Sequence, residues 1–187
     1  IRPDFAEAYY NMGNALKDKD KLEEAIKVYK KTLSLRPKNA DAFYNMGTAF
    51  QEQGKLELAI NAYNSALLIR PNYVNAYYNL GNALKDRGKL EEAINAYNKA
   101  LSLKPDFANA YNNMGIALQN QGKLEKSLEA YNKALLLQPD SAKTYINRGS
   151  ILREQGKPKE AIEAYKKALT IKPNSAEAYS NLGIALT

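Results

Sequence analysis

Residues 74–107 read VNAYYNLGNALKDRGKLEEAINAYNKALSLKPDF, and the same pattern returns when this stretch is shifted by 34 residues in either direction. The first residue of each repeat is numbered position 1. An aromatic residue then stands at position 4, Gly at 8, Ala or once Ser at 20, and Pro at 32. A fixed period with fixed residue types predicts a stacked repeat architecture. The complete repeats are 6–39, 40–73, 74–107, 108–141 and 142–175, and 176–187 begins a sixth.

The spacing inside one repeat predicts a pair of helices. Positions 4, 7, 8 and 11 share one side of a first helix, and positions 20, 21, 24, 27 and 28 share one side of a second. Glycine at position 8 costs up to about 1 kcal/mol relative to alanine inside a helix. We therefore expect a partner helix to pass close to it. Proline at position 32 cannot continue the second helix.

Helix ends are also marked in the sequence. Glycine at position 15 predicts a left-handed cap after the first helix, and Asp20 takes this place in the first repeat. Aspartate tolerates that conformation less well than glycine. Pro158 fits the first residue of a helix. Capping boxes are predicted at two helix starts, Asp4 with Glu7 and Asn174 with Glu177.

These residues resemble the tetratricopeptide repeat along the whole chain. The resemblance implies an all-α solenoid of antiparallel helix pairs in a right-handed superhelix, with the first helices on the concave face. We expect a single array over 1–187, cut from a longer protein, in which 1–5 is the tail of a preceding repeat. Arg148 replaces the Met or Leu of position 7. It is interpreted as a snorkelling side chain at a packing defect, which makes the fifth repeat the expected weak point.

The composition excludes several chemistries. The 187 residues include no cysteine and no histidine, so the chain lacks Ser–His and Cys–His nucleophiles and the usual zinc ligands. No apolar run approaches the roughly 20 residues of a membrane span. We expect no cofactor and no catalysis. The absence of cysteine leaves the compartment open, with the cytoplasm favoured.

The candidate binding residues begin with asparagine at position 6, which points about 200° away from position 4. Two explanations stay open. The amides form a ladder that bonds a peptide backbone, as in the similar repeat arm of O-linked N-acetylglucosamine transferases, or they join neighbouring repeats. Alanine at Asn79 and Asn113 would separate these explanations through its effects on stability and binding. The six asparagines are Asn11, Asn45, Asn79, Asn113, Asn147 and Asn181.

Further groove residues flank this ladder at positions 5, 9 and 12. The tyrosines at position 5 are interpreted as anchors for a ligand. The carboxylate clamp of chaperone-binding relatives needs basic residues at positions 2 and 6, and only Lys143 with Asn147 approaches that pattern. The flanking candidates are Tyr10, Tyr44, Tyr78, Asn14, Asn82, Lys17, Lys85 and Arg153.

The leading functional hypothesis is a non-catalytic scaffold that binds an extended segment of a protein or peptide partner in the concave groove. One alternative is the substrate-selecting arm of a larger enzyme such as a glycosyltransferase. Another is a basic surface for nucleic acid, because the net charge is +7. Nucleic acid is disfavoured, since a solvated face explains the lysines of the second helices more simply. Self-association through the ends of the array also remains open.

Overall fold

The computed structural model describes residues 3–186, with side chains from Phe5 onward, and these residues form eleven helices without a strand. Each complete repeat supplies one helix pair, so the all-α repeat array predicted from the period is confirmed. The helices are α1 Pro3–Asp18, α2 Leu22–Leu35, α3 Ala40–Glu52, α4 Leu56–Ile69, α5 Val74–Asp86, α6 Leu90–Leu103, α7 Ala108–Asn120, α8 Leu124–Leu137, α9 Ala142–Glu154, α10 Pro158–Ile171 and α11 Ala176–Leu186.

The chain divides into two compact units, and the boundary lies between residues 103 and 104. Unit 1 contains α1 to α6, and unit 2 contains α7 to α11. Within each unit, the two helices of a repeat pack against each other. The second helix of a repeat also packs against the first helix of the next, as α2 does against α3 and α8 against α9.

Glycine at position 8 leaves room for the ring of a tyrosine from the second helix of the same repeat. Tyr63 is completely buried, and a Cβ atom added at Gly47 would lie 2.7 Å from its ring. The other complete repeats have the same arrangement, so the predicted close approach is confirmed. At Gly183 of α11, by contrast, an added Cβ would meet nothing within 4 Å.

The buried side of the first helix is wider than the sequence pattern predicted. Small residues at positions 3 and 10, such as Ala42 and Ala49, are fully buried although neither position belonged to the predicted stripe. The prediction for Met12 was wrong, because this side chain is 52% exposed. Its counterpart Met46 lies in a groove beside Ile26 of α2. No helix occupies the matching place beside α1 among the described residues.

The predicted helix ends are largely confirmed. Asp20 has φ of 58°, and the four glycines at position 15 have φ between 71° and 77°. Each second helix that precedes a position-32 proline ends two residues before it, and Pro158 is the first residue of α10.

One capping prediction was wrong. Ser175 caps α11, because its Oγ accepts a hydrogen bond from the Ala178 backbone N–H at 3.3 Å. The helix begins at Ala176, so Asn174 lies one residue too early to cap it. The predicted box at Asp4 lies outside the residues whose side chains the structure describes.

Between residues 3 and 186, no helix combines the length and the apolar character needed to cross a bilayer.

Candidate functional site

The first-helix face of unit 1 is the side of α1, α3 and α5 that carries positions 5, 6, 9 and 12. Its asparagines are not a row of unoccupied amides. Asn45 Nδ2 donates to Tyr10 Oη at 3.1 Å and to Asn14 Oδ1 at 2.9 Å. A side-chain amide has two N–H groups, so these two bonds use the whole donor capacity of Asn45. The second repeat is thereby joined to the first.

The next pair of repeats in unit 1 is joined in the same way. Asn79 Nδ2 donates to Tyr44 Oη at 3.0 Å. The position-6 amide therefore reaches the position-5 tyrosine of the preceding repeat. This is the inter-repeat role that the sequence left open. Asn45 and Asn79 are half-buried, whereas Asn11 of α1 is exposed.

The position-5 tyrosines are themselves held by the core. Their rings lie 5.9 to 6.3 Å, centroid to centroid, from the buried position-24 tyrosines in the pairs Tyr10–Tyr29, Tyr44–Tyr63 and Tyr78–Tyr97. Burial raises the pKa of Tyr29, Tyr63 and Tyr97, so these phenols stay protonated as hydrogen-bond donors.

The protonated phenols fix the polar residues at positions 9 and 12. Tyr29 Oη donates to Asn14 Oδ1 at 2.8 Å. In the second repeat position 9 is Thr48, and Tyr63 Oη donates instead to Gln51 Oε1 at 2.8 Å. Asn14 Oδ1 therefore accepts two hydrogen bonds, one from Tyr29 and one from Asn45. Its Nδ2 group and the Oδ1 atom of Asn45 make no hydrogen bond to any described residue.

The basic residues predicted for the groove differ in their exposure and in their partners. Lys17 and Lys85 are both half-buried on this face. Lys85 forms an ion pair with the adjacent Asp86, and its charge is therefore partly neutralised. In unit 2, Arg153 Nη1 is buried without a hydrogen-bond partner among the described residues.

The same face of unit 2 has a different hydrogen-bond network. Position 5 is Asn112, which is only 8% exposed. Its Oδ1 accepts from Asn147 Nδ2 at 3.1 Å and from Thr144 Oγ1 at 3.2 Å, while its Nδ2 donates to Asn113 Oδ1 at 3.1 Å. An amide cluster thus replaces the tyrosine link.

Among the described residues, the fifth repeat is not joined to the sixth by such an amide hydrogen bond. Position 5 is now Ile146, which is 4% exposed and has no polar side-chain atom. Asn181, at position 6 of the following helix, makes no side-chain hydrogen bond within the described part of the chain. Position 5 is tyrosine as far as Tyr78 and another residue type afterwards, and the bonds that join neighbouring repeats change with it.

Sequence reasoning missed a polar cluster at the edge of unit 1. Both Nη atoms of Arg70 donate to the Asp41 carboxylate, at 2.9 and 2.7 Å, and Tyr73 Oη donates to Asp41 Oδ1 at 2.9 Å. The Tyr73 ring lies 4.9 Å from that of Tyr44 and 4.5 Å from the Arg70 guanidinium carbon. The sequence does contain a signal for this cluster. An acidic residue at position 2 occurs together with tyrosine at position 34 in the second repeat alone.

The cluster has an electrostatic consequence. The hydrogen bonds from Arg70 are the largest cause that holds the pKa of the Asp41 carboxyl below its ordinary value, against the opposing effect of partial burial. Asp41 is thus kept ionised and bonded, and it ties the start of α3 to the loop after α4. This is a structural role.

The side chains described, from Phe5 to Leu186, include no group of three or more His, Cys, Asp or Glu residues arranged to hold a metal ion. The polar residues of the first-helix face are amides, hydroxyls and a few cations. Such side chains can donate hydrogen bonds to a polar ligand and accept them from it.

Family models match most of the chain. A model described as TPR repeat matches residues 13–54, 47–86 and 81–122, and one described as Tetratricopeptide repeat matches 106–174. The chain belongs to the tetratricopeptide repeat family. Repeats of this family mediate protein–protein interactions. No curated protein matches the sequence.

Solved structures of several repeat proteins are similar. A crystal structure of MamA is 27% identical, with a TM-score of 0.86 over 94% of this chain and 96% of that one. MamA from Desulfovibrio magneticus RS-1 is 25% identical, with a TM-score of 0.87 over 92% and 98% of the two chains. YrrB, described as a TPR protein with an unusual peptide-binding site, is 25% identical, with a TM-score of 0.81 over 92% of this chain and 89% of that one.

Proposed function

We propose that this chain is a non-catalytic scaffold that holds an extended segment of a partner protein against the first-helix face of unit 1. The observation that supports this function is the pair formed by Asn14 and Asn45. The bond between them, 2.9 Å long, uses the oxygen of one amide and the nitrogen of the other. The remaining donor of Asn14 and the remaining acceptor of Asn45 are thus placed side by side.

This pairing suits an extended peptide. Each residue of a peptide backbone carries one N–H donor and one C=O acceptor, so a fixed donor beside a fixed acceptor complements it. Tyr29 and Tyr10 also hold the two amides through their own hydrogen bonds. Because these side chains are ordered before a ligand arrives, little conformational entropy is lost on binding.

The comparison with YrrB supports the same class of ligand. YrrB, which is described as having an unusual peptide-binding site, shares the repeat fold over 92% of this chain. The amides of unit 1 therefore have two roles in this proposal. They join neighbouring repeats through one set of atoms and offer the other set to a peptide.

The substitution Asn14→Asp tests this function. Aspartate keeps an Oδ1 atom that accepts from Tyr29 and Asn45, but it replaces the amide donor with a second acceptor. We expect peptides selected on the unaltered chain from a library of short unstructured sequences to bind about tenfold more weakly or worse, since a buried carbonyl loses its donor. The melting temperature should change little.

Asn132→Asp in α8 is the matched control, because Asn132 is exposed on a second helix and undergoes the same chemical change. Its affinity for the selected peptides should equal that of the unaltered chain. Equal affinity for Asn14→Asp would overturn the proposal, as would an equal loss in Asn132→Asp.

A further inference from the structure

A groove on the opposite side of unit 1 takes no part in the proposed function. Helices α2 and α4 form its walls and α3 forms its floor, around a cavity of about 490 Å³. Ligand pockets commonly measure about 300–1,000 Å³. The floor consists of Phe43, Met46 and Phe50, and Ile26 and Leu58 are the large apolar residues of the two walls.

Four residues that line this groove depart from the pattern of the other repeats. Position 4 is Phe43 where every other repeat has Tyr, and position 11 is Phe50 where every other repeat has Leu. Position 19 is Leu58 where the others have Glu or Lys, and position 26 is Ser65 where the others have Lys. Each change removes a hydroxyl, enlarges an apolar side chain or removes a charge. All four changes fall on one surface.

The fold of α4 does not require an apolar residue at position 19. Leu58 is 46% exposed, and the four equivalent residues in the other repeats are charged and exposed. The buried side of α4 is already supplied by residues such as Ala59, Tyr63 and Leu67. Leu58 adjoins the apolar floor of the groove, and a continuous apolar surface of this kind is typical of an interaction site.

The neighbouring groove of unit 1 provides an internal comparison. Helices α4 and α6 wall a cavity of about 660 Å³ with α5 as its floor. It has the same architecture, but its floor includes Tyr77 and its wall on α6 carries Glu92 and Lys99. The stacking of repeats therefore creates the grooves, whereas the residues of the second repeat remove the charges at positions 19 and 26 from the α4 wall and the hydroxyl from the floor of one of them.

We propose that the α2–α4 groove binds an amphipathic helix of a partner protein, with leucine or phenylalanine side chains in the groove and acidic residues along its edge. The wall from Leu58 to Ser65 extends about 10 Å at 1.5 Å per residue, which matches about two turns of a helix. Helices in such grooves anchor through residues at i, i+3, i+4 and i+7. Lys30 and Lys55 line the same cavity and are placed to contact acidic side chains.

The charge of α2 favours an acidic partner. Lys27 is also exposed on this helix, whereas the Lys31 amine lies over the Tyr9 ring of α1, and Glu23 is the acidic residue among those that line the groove. Positive charges near an apolar groove accelerate association with an acidic helix and select against a basic one. The proposed ligand is therefore a helix that has apolar anchor residues and acidic residues beside them.

The probe is a fluorescein-labelled synthetic helix with Leu and Phe at the anchor spacing and Glu at the remaining positions, titrated with the full chain and followed by fluorescence anisotropy. Leu58→Gln should weaken binding by about tenfold or more, because a central apolar contact is lost without any change of charge. Leu136→Gln in α8 is the matched control, since Leu136 is 82% exposed, and it should leave the affinity unchanged. Both variants should keep the melting temperature.

Reversal of one charge provides the second part of the experiment. Lys30→Glu should weaken binding of the acidic helix several-fold, and Lys167→Glu in α10 should not. Unchanged affinity for Leu58→Gln, or equal losses in Leu58→Gln and Leu136→Gln, would overturn the proposal. Sedimentation that shows the chain associating with a second molecule through a contact abolished by Leu58→Gln would also overturn it. Asn14→Asp should leave this binding intact, so a failure here is distinguishable from a failure of the proposed function.

Discussion

In unit 1 the asparagine at position 6 bonds the tyrosine of the preceding repeat, as Asn79 bonds Tyr44. In unit 2 the same asparagine bonds another amide, as Asn147 bonds Asn112, and the following repeat offers Ile146 in place of a polar partner. The asparagine is invariant in the sequence, but its partner is not. The bonds that it makes therefore depend on the residues of the repeat before it, above all on position 5.

The loops between repeats differ in a parallel way. In unit 1, Asp41, Arg70 and Tyr73 connect the start of α3 to the loop after α4. The corresponding residues of unit 2 are Asn109, Gln138 and Ser141, and Ser141 caps α9 through its hydroxyl instead. The link that Arg70 and Tyr73 make to Asp41 in unit 1 is thus replaced at this loop of unit 2 by a local helix cap.

The largest difference is expected between two glycines at position 8. Gly47→Ala in unit 1 places a methyl group 2.7 Å from the buried Tyr63 ring, and we expect the free energy of unfolding to fall by about 1–3 kcal/mol through overpacking. Gly183→Ala in unit 2 meets nothing within 4 Å. It should stabilise α11 by up to about 1 kcal/mol. Urea denaturation and hydrogen exchange in α11 measure the two effects, and equal signs would contradict the packing argument.

A second contrast concerns position 7. Arg148 in unit 2 has a buried Nε atom without a hydrogen-bond partner among the described residues, whereas Met46 in unit 1 is buried and apolar. Arg148→Met should raise the free energy of unfolding of unit 2 by about 1 kcal/mol, because a partly desolvated cation is replaced by an apolar side chain. The reciprocal Met46→Arg should lower it in unit 1. A lower denaturation midpoint for Arg148→Met would show that the guanidinium is stabilising.

The asparagines give a third contrast. Asn79→Ala removes the bond to Tyr44 and should lower the free energy of unfolding by about 0.5–1.5 kcal/mol. Asn181→Ala removes no such bond, and alanine is the better helix former by a few tenths of a kcal/mol, so stability should stay the same or rise slightly. Thermal melts of the two variants measure the difference. A rise in both would mean that the inter-repeat bond contributes nothing.

The left-handed caps provide a fourth test. Asp20 has φ of 58° in unit 1, where unit 2 has glycine at Gly122 and Gly156. Asp20→Gly should stabilise unit 1 by up to about 1 kcal/mol, since glycine adopts this conformation without steric cost. Gly122→Asp should have the opposite effect in unit 2. An unchanged midpoint in Asp20→Gly would assign a compensating local role to the aspartate.

The smallest expected difference is a dependence on pH that belongs to unit 1. The folded-state pKa of Asp41 is depressed, so its contribution is present above the unfolded-state pKa of about 3.9 and is lost as the pH falls through the lower folded-state value. The contribution should be a few tenths of a kcal/mol, because the pair with Arg70 is 38–43% exposed and is screened by solvent. Asp41→Asn should remove this part of the acid sensitivity between about pH 5 and 2.

Between pH 6 and 8 the chain should show little change, because histidine is the side chain that ordinarily titrates there and the sequence contains none. A melting temperature that shifts strongly between pH 6 and 8 would contradict this expectation. Equal acid sensitivity in Asp41→Asn and the unaltered chain would contradict the assignment to Asp41.

Much of this architecture was predictable because its causes are local or recur with the period. The helix pairs follow from apolar spacing, the left-handed caps from glycine at position 15, and the close approach from Gly47 and its equivalents. Ser175 shows the limit of such reasoning. It caps α11, whereas the sequence predicted Asn174 as the cap. The two differ by one residue in where the helix begins, and the sequence pattern does not define that start so closely.

The sequence by itself determined the period, the helices and the residue types available at each position. The tertiary structure decided which atoms of those residues remain accessible. Asn45 and Asn14 share a bond across repeats, and Phe50 and Leu58 meet in one groove although they belong to different helices. Such contacts depend on how one helix is rotated and shifted against another. That register is fixed by the packing of all the buried side chains together, so it cannot be read from any single repeat.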